Sequence, residues 1–155
     1  MIRRLAFEIL ERNRGCENLT VLGIQNRGHE LGQAVAAAIA SIEGREVDYR
    51  SLDVSDYRDD IDGAPKRGSE PGLVLTDRDV ILVDDVLFTG RTVRAALDAV
   101  VRFGRPRSVQ LTVLIDRGHR EFPIQPDFVG RVIPTKHRER IRVSLGESSS
   151  VDVLE

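Results

Sequence analysis

The chain has 155 residues, 41% hydrophobic and 31% charged, with one Cys, no Trp and a formal net charge of -2. That length predicts one domain over residues 1–155, able to bury roughly 68–70% of its unfolded surface, and the composition excludes an intrinsically disordered chain. No apolar run approaches the roughly 18 residues of a membrane span, residues 1–14 are too charged for a secretory signal, and the lone Cys16 excludes a disulfide framework, so a reducing cytoplasm is the expected location.

Helical spacing of Ile2, Leu5, Ala6, Ile9 and Leu10 predicts an opening helix with Gly15 as its stop. Residues 19–24 read as a buried strand, and Gln25-Asn26-Arg27-Gly28 as a tight polar turn. Leu31, Ala34, Val35, Ala38, Ile39 and Ile42 form a stripe of period 3.6 that ends at Gly44. A second strand is expected over 46–54. Residues 56–79, rich in charge and holding two Pro and three Gly, read as a long loop of the kind compact domains keep for binding or as a lid. Val80-Ile81-Leu82-Val83 has the all-apolar pattern of a strand covered on both faces. It runs into Asp84-Asp85, a turn over 87–91, and a helix with Val93, Ala96, Leu97, Val100 and Val101 turned inward. Further strands are expected at 109–115, 128–133 and 141–145. Strands alternating with helices predict an α/β fold around a mainly parallel sheet, whose strand order these patterns do not reveal.

Charge is unevenly distributed. Residues 43–85 carry 13 acidic against 6 basic groups, and residues 102–142 carry 10 basic against 4 acidic. This suggests either separate surfaces for hydroxyl-rich or cationic ligands and for anions, or blocks that interleave in space. In an open parallel sheet, ligands bind beyond the carboxyl ends of strands. Here that edge receives Asp84 and Asp85, which suit neighbouring sugar hydroxyls or a hydrated divalent cation. It also receives Thr89, Gly90 and Thr92 at a helix start, where amides, hydroxyls and the helix dipole favour an anion. A polyol beside a phosphate describes a ribose 5-phosphate. No G-x-x-x-x-G-K-[ST] exists and no G-x-G-x-x-G follows a strand. A phospho-acceptor domain would carry its acidic pair after the first strand, and an acidic helix cap is the bland alternative.

The run 80–92 resembles the phosphoribosyl-pyrophosphate signature of the type I phosphoribosyltransferases. Glu11-Arg12-Asn13-Arg14-Gly15, Asp56-Tyr57-Arg58-Asp59-Asp60, Val93-Arg94-Ala95 and Asp116-Arg117-Gly118-His119-Arg120-Glu121 with Pro123 are similar to the bifunctional pyrimidine operon regulators with uracil phosphoribosyltransferase activity. The likeness runs from residue 2 to about 147 and continues through Phe128-Val129-Gly130 and Ile133-Pro134-Thr135. It implies a central sheet flanked by helices, with a small hood and a flexible lid. It implies that uracil and phosphoribosyl pyrophosphate yield UMP and pyrophosphate with Mg²⁺. Asp84, Asp85 and Arg27 are then the catalytic residues. Asp84 and Asp85 hold the ribose hydroxyls; Val86, Leu87, Phe88, Thr89, Gly90, Arg91 and Thr92 cradle the 5-phosphate; Arg27 and Gly28 meet the pyrophosphate. Arg58, Lys66 and Arg67 are lid cations. No metal ligand is assigned.

The resemblance also implies binding of pyrimidine-operon messenger RNA under UMP control, through a face including Arg4, Arg120 and Arg131, and assembly as a homo-oligomer. Departures from the pattern are visible. Gln25-Asn26 replaces a usual Lys-Thr, the lid is shorter, Phe88 replaces a frequent Tyr, and Arg3, Phe7 and Gln125 stand on the RNA side in place of Thr, His and Arg. A nucleotide-sensing RNA binder without catalysis, and a transferase for a purine or other base, are the alternatives. His29 reads as a capping or surface residue, His137 as surface, and Cys16 as structural. His119 orients substrate, faces RNA or makes a loop hydrogen bond.

Overall fold

The structure, a computed structural model, describes residues 1–57 and 72–155. Arg58, Lys66 and Arg67 lie outside the described residues. In chain order the elements are α1 (Ile2–Asn13), β1 (Leu19–Ile24), α2 (Gly28–Glu43), β2 (Asp48–Leu52), β3 (Asp79–Leu87), α3 (Arg91–Val100), β4 (Ser108–Asp116), β5 (Phe128–Val132), β6 (Arg140–Ser144) and β7 (Ser150–Leu154). A single 3₁₀ turn, Ser55–Tyr57, follows β2.

Five strands form one sheet in the order β2-β1-β3-β4-β5, every neighbouring pair parallel. Alternation along β1 and β3 divides the core. Val21, Ile81 and Val83 pack with α1 and α2 on one face, whereas Leu22, Val80 and Leu82 pack with α3 on the other. Both faces are covered, which is why these strands carry unbroken apolar runs rather than an apolar–polar alternation. The chain steps outward from β1 to β2, then returns to place β3 on the other side of β1. The strand order therefore reverses between β1 and β3, and loops leaving those two strands diverge to open a crevice.

Several boundaries differ from expectation for identifiable reasons. α1 runs on to Asn13, and Arg14 takes a left-handed φ of 55° to end it before Gly15. β3 does not stop at Val83 but continues through both aspartates to Leu87, because its pairing with β4 extends to Leu87 opposite Asp116. Leu97 on α3 and Val101 just after it are exposed, and Ala95 and Ala99 are buried in their place; small residues let the helix lie close to the sheet. Leu73 and Leu75, within the expected loop, are buried against the α3-side core. The sequence pattern also missed β7, whose Val151 and Val153 follow the serine run. β7 pairs antiparallel with β6, and Ile141 of that hairpin joins the α1–α2 core.

Candidate functional site

Asp84 and Asp85 are both buried near the end of β3. Alternation sends them to different cavities. Asp84 lines a cavity of about 290 Å³ with residues 86–93, and Asp85 lines one of about 200 Å³ with Asn26, Arg27, Glu30, Val143 and Leu145. Local hydrogen bonds hold both carboxylates: the Asp85 amide donates to Asp84 Oδ1 at 2.9 Å, and the Val86 amide to Asp85 Oδ1 at 2.8 Å. Burial, and then the neighbouring Asp85 charge, push Asp84 well above the usual carboxylate range. A carboxylate so placed favours a proton, a hydroxyl donor or a nearby positive charge.

The loop after β3 presents its polarity in one sense. The carbonyl of Leu87 accepts from the Arg117 amide at 3.1 Å. That of Phe88 accepts from Arg120 Nη1 at 2.9 Å, and that of Thr89 from the Glu121 and Phe122 amides at 2.9 and 3.1 Å. Three consecutive carbonyls are thus spent on the segment 117–122. What the loop and the first turn of α3 keep for the cavity is their N–H side, apart from the Arg91 amide, which donates to Thr89 Oγ1 at 3.2 Å; this is the arrangement of an anion site. Gly90, at φ 88°, makes the left-handed turn into α3, and a Cβ there would meet Ile124 and Phe122 at 3.4–3.5 Å. Leu87 has its side chain in the core, so it serves this loop through its backbone. The Arg91 side chain is held by Glu121 at 2.9 Å and lies over the Phe122 ring.

Arg27 caps α2 and is exposed, and Gly28 opens the helix. A Cβ on Gly28 would lie 2.5 Å from the Val83 carbonyl and 3.2 Å from Asp84 Cα, so only glycine lets this turn approach the carboxylate strand. The structure therefore brings Arg27, Gly28, Asp84 and Asp85 together at the β1–β3 crevice, with the 86–92 loop beside them.

Arg120 is placed differently from the expected RNA face. Its guanidinium donates to Asp116 at 2.7 Å, to Phe88 O and to Ile124 O, and its side chain is only 18% exposed. It is a strut behind the 86–92 loop. Arg4 and Arg131 are exposed, and Arg4 donates to the Gly130 carbonyl beside Arg131. Sequence reasoning did not single out Arg117. This arginine is buried, its guanidinium lies 4.0 Å from the Phe88 ring centre, and it donates to Thr135 Oγ1 at 2.9 Å and to the Lys136 carbonyl at 3.0 Å. It joins the 86–92 loop to the segment before β6. His119 Nε2 donates to the Thr135 carbonyl at 2.5 Å, and the His119, His137 and Phe88 rings cluster at 5.4–5.8 Å. The signal available for these contacts was the dense run of charge at 116–121, which says nothing of partners twenty residues away.

Comparison with known proteins shows the family and the fold. A phosphoribosyl transferase domain family model matches residues 1–141. The bifunctional protein PyrR of Deinococcus radiodurans is 48% identical over 99% of this chain and 86% of its own length. That of Acetivibrio thermocellus is 48% identical over 99% and 85%. Among solved structures, the hypoxanthine phosphoribosyltransferase of Trypanosoma cruzi superposes with a TM-score of 0.68 at 19% identity, covering 90% of this chain and 77% of that one. The Staphylococcus aureus hypoxanthine enzyme gives 0.65 at 20%, covering 86% and 73%. At those identities the structural likeness speaks for the type I phosphoribosyltransferase fold, while the family rests on the sequence matches. The chain belongs to the phosphoribosyltransferase family and, within it, to the bifunctional PyrR proteins.

Proposed function

We propose that this domain transfers the phosphoribosyl group of phosphoribosyl pyrophosphate to uracil, releasing pyrophosphate and forming UMP. The observation that carries the reading is the loop whose three consecutive carbonyls turn away onto the segment 117–122, leaving its N–H side as an anion site, set beside a buried carboxylate pair at the strand-order reversal. Asp84 and Asp85 accept the ribose hydroxyls, and the 86–92 loop with Thr89 and Thr92 receives the 5-phosphate. Arg27, Gly28 and the first amides of α2 face the leaving pyrophosphate. Positive charge grows at the anomeric carbon as that group departs. Burial and mutual repulsion make the ionised aspartate pair costly in the empty site, and the growing positive charge offsets that cost, so the pair favours the transition state over the ground state.

The same pair fits Mg²⁺, a hard cation held through one or two carboxylates with substrate oxygens completing its shell. Asp84 and Asp85 would hold it, and when bound it supplies charge neutralisation for the pyrophosphate. The lid cations Arg58, Lys66 and Arg67 are assigned to the same leaving group. UMP formation from uracil tests the reading, with hypoxanthine and guanine as competing bases. Faster turnover of a purine, or UMP binding without turnover, would refute it.

A second activity is UMP-dependent binding of pyrimidine-operon messenger RNA. Exposed Arg3, Arg4 and Arg131 on α1 and the neighbouring edge strand β5 favour it, and Arg3 and Arg131 line a groove of about 560 Å³. Gel-shift titration of a leader loop with and without UMP tests it, and loop binding indifferent to UMP would remove the regulatory part. Met1 just ahead of α1, Phe7 on α1 and Val132 on β5 are exposed apolar side chains and support self-association, which sedimentation measures.

A further inference from the structure

The turn 25–28 carries a single cation, Arg27, so its performance depends on how firmly the start of α2 is placed. Tyr49 of β2 packs against α2 through a slot formed by two glycines. A Cβ on Gly23 would lie 2.8 Å from the Tyr49 hydroxyl, and one on Gly32 would lie 2.9 Å from Tyr49 Cε2. At the end of this slot the hydroxyl lies 2.8 Å from His29 Nδ1 and 2.9 Å from the His29 carbonyl. A hydroxyl has one proton. Both contacts are hydrogen bonds only when the Tyr49 O–H donates to the carbonyl and His29 Nδ1–H donates to the hydroxyl oxygen. The reverse assignment would leave two oxygens facing each other at 2.9 Å. Burial pushes the Tyr49 phenol up to about 12, so it remains a donor at neutral pH.

His29 directly follows Gly28, and the backbone there is already pressed between two strands. A Cβ on Gly23 would meet the Gly28 carbonyl at 2.7 Å and His29 Cα at 3.0 Å, while Gly28 itself touches Val83 and Asp84. The first turn of α2 is thus seated on β1 and β3 at Gly28 and fastened to β2 at His29. Any sliding of this turn moves Arg27 and Gly28 relative to Asp84.

We propose that Tyr49 and His29 are positioning residues for the pyrophosphate turn, acting through the chain Nδ1–H to hydroxyl to carbonyl. The proposal rests on the phosphoribosyl pyrophosphate reading above and deepens it. Steady-state kinetics and nitrogen NMR of the histidine rings test it in the full-length protein. Tyr49→Phe keeps the ring in its slot and removes only the hydroxyl, so the KM for phosphoribosyl pyrophosphate rises about fivefold, with the uracil KM unchanged and the thermal midpoint lowered by only a few degrees. His29→Gln, whose amide N–H can donate to the hydroxyl, keeps the wild-type KM, whereas His29→Leu does not. The neutral wild-type ring shows its proton on Nδ1, and in Tyr49→Phe the proton moves to Nε2. An Nε2-protonated wild-type ring, an unchanged KM in Tyr49→Phe, or equal rises in both KM values with a lowered midpoint would each overturn the proposal. Should wild type turn over no uracil, the uracil reading falls instead; the same comparison is then made on the calorimetric Kd for phosphoribosyl pyrophosphate.

Discussion

Arg120→Met separates a framework arginine from a surface RNA contact. In the wild type its guanidinium makes a 2.7 Å ion pair with Asp116 and donates to the Phe88 and Ile124 carbonyls. The side chains of the pair are only 18% and 12% exposed, so methionine would leave a mostly buried carboxylate without its cation. Breaking a buried pair from one side costs about 3–5 kcal/mol, and residual solvent access argues for the lower end, about 3 kcal/mol. In a chain of this length about 1 kcal/mol moves Tm by roughly 2–4 °C, so the expected fall is roughly 6–12 °C. Burial acts to raise Asp116, but the Arg120 hydrogen bond, the Gly118 amide and the Arg120 charge together hold it below the usual carboxylate range. The pair's contribution is therefore complete above the unfolded carboxylate value and is lost as pH falls through the folded one. Urea melts at neutral and acid pH should show the gap between wild type and variant closing in acid. Adding Asp116→Asn should recover part of the loss. The released Phe88 carbonyl should also raise the KM for phosphoribosyl pyrophosphate. Wild-type melting at neutral pH, with only RNA binding lost, would refute the reasoning.

Asp85→Asn and Thr89→Ala should each lower turnover by an order of magnitude or more while keeping the fold, since a charge-assisted contact is worth about 1.5–3 kcal/mol; wild-type kinetics would remove either residue from the site. Gly28→Ala places a Cβ 2.5 Å from the Val83 carbonyl, so the turn must shift and turnover should fall about tenfold or more, with unchanged far-ultraviolet dichroism. Asp84 is raised in the folded state, so wild-type stability should decline as pH rises from the unfolded carboxylate value through the folded one. Asp84→Asn should abolish that decline, leaving a variant more stable than wild type at neutral pH and catalytically poor; parallel slopes in urea melts across that range would contradict the burial argument.

The fold was legible where periodicity is strong and local. The apolar stripe of α2 and the run 80–83 located the helix and the buried strand because each pattern reflects a face the chain must cover. Strand order was not legible, since it depends on which parallel neighbour β3 chooses. Yet that choice, beside β1, brings Arg27 and Gly28 to Asp84 across more than fifty residues. The site was readable as residue types: carboxylates, threonines and a glycine at a strand-to-helix turn. What escaped was the support behind it. Arg117, Arg120 and Tyr49 act through backbone carbonyls or a single ring atom, and such acceptors leave no trace in a side-chain pattern. Of the β6–β7 hairpin only β7 escaped, because its five residues begin in a serine run at the end of the chain.

The basic block 102–142 shows how charge counted along the chain overstates a binding face. Arg107 pairs with Asp79 at the opposite end of the sheet from the crevice, where Asp79 is held below the usual range chiefly by that hydrogen bond. Arg117 is spent on Phe88, Thr135 and Lys136, and Arg120 on Asp116. Three of the ten basic residues in the block therefore answer internal acceptors, and two of the carboxylates that make 43–85 acidic are the buried site pair. The charge left for an RNA backbone near β5 is carried chiefly by Arg131 and by Arg3 of α1, with Arg4, which pairs with Glu8 and donates to the Gly130 carbonyl but stays 48% exposed, beside them; the patch is assembled from both ends of the chain. Each phosphate neutralised contributes roughly 0.7 to the salt slope for a single strand. A patch of about three arginines per chain thus implies a slope near 2, not the value near 7 that all ten basic residues of the block would give. A slope of that larger size would instead bring exposed basic residues elsewhere in the block, such as Lys136, Arg138 and Arg140, into contact with the RNA.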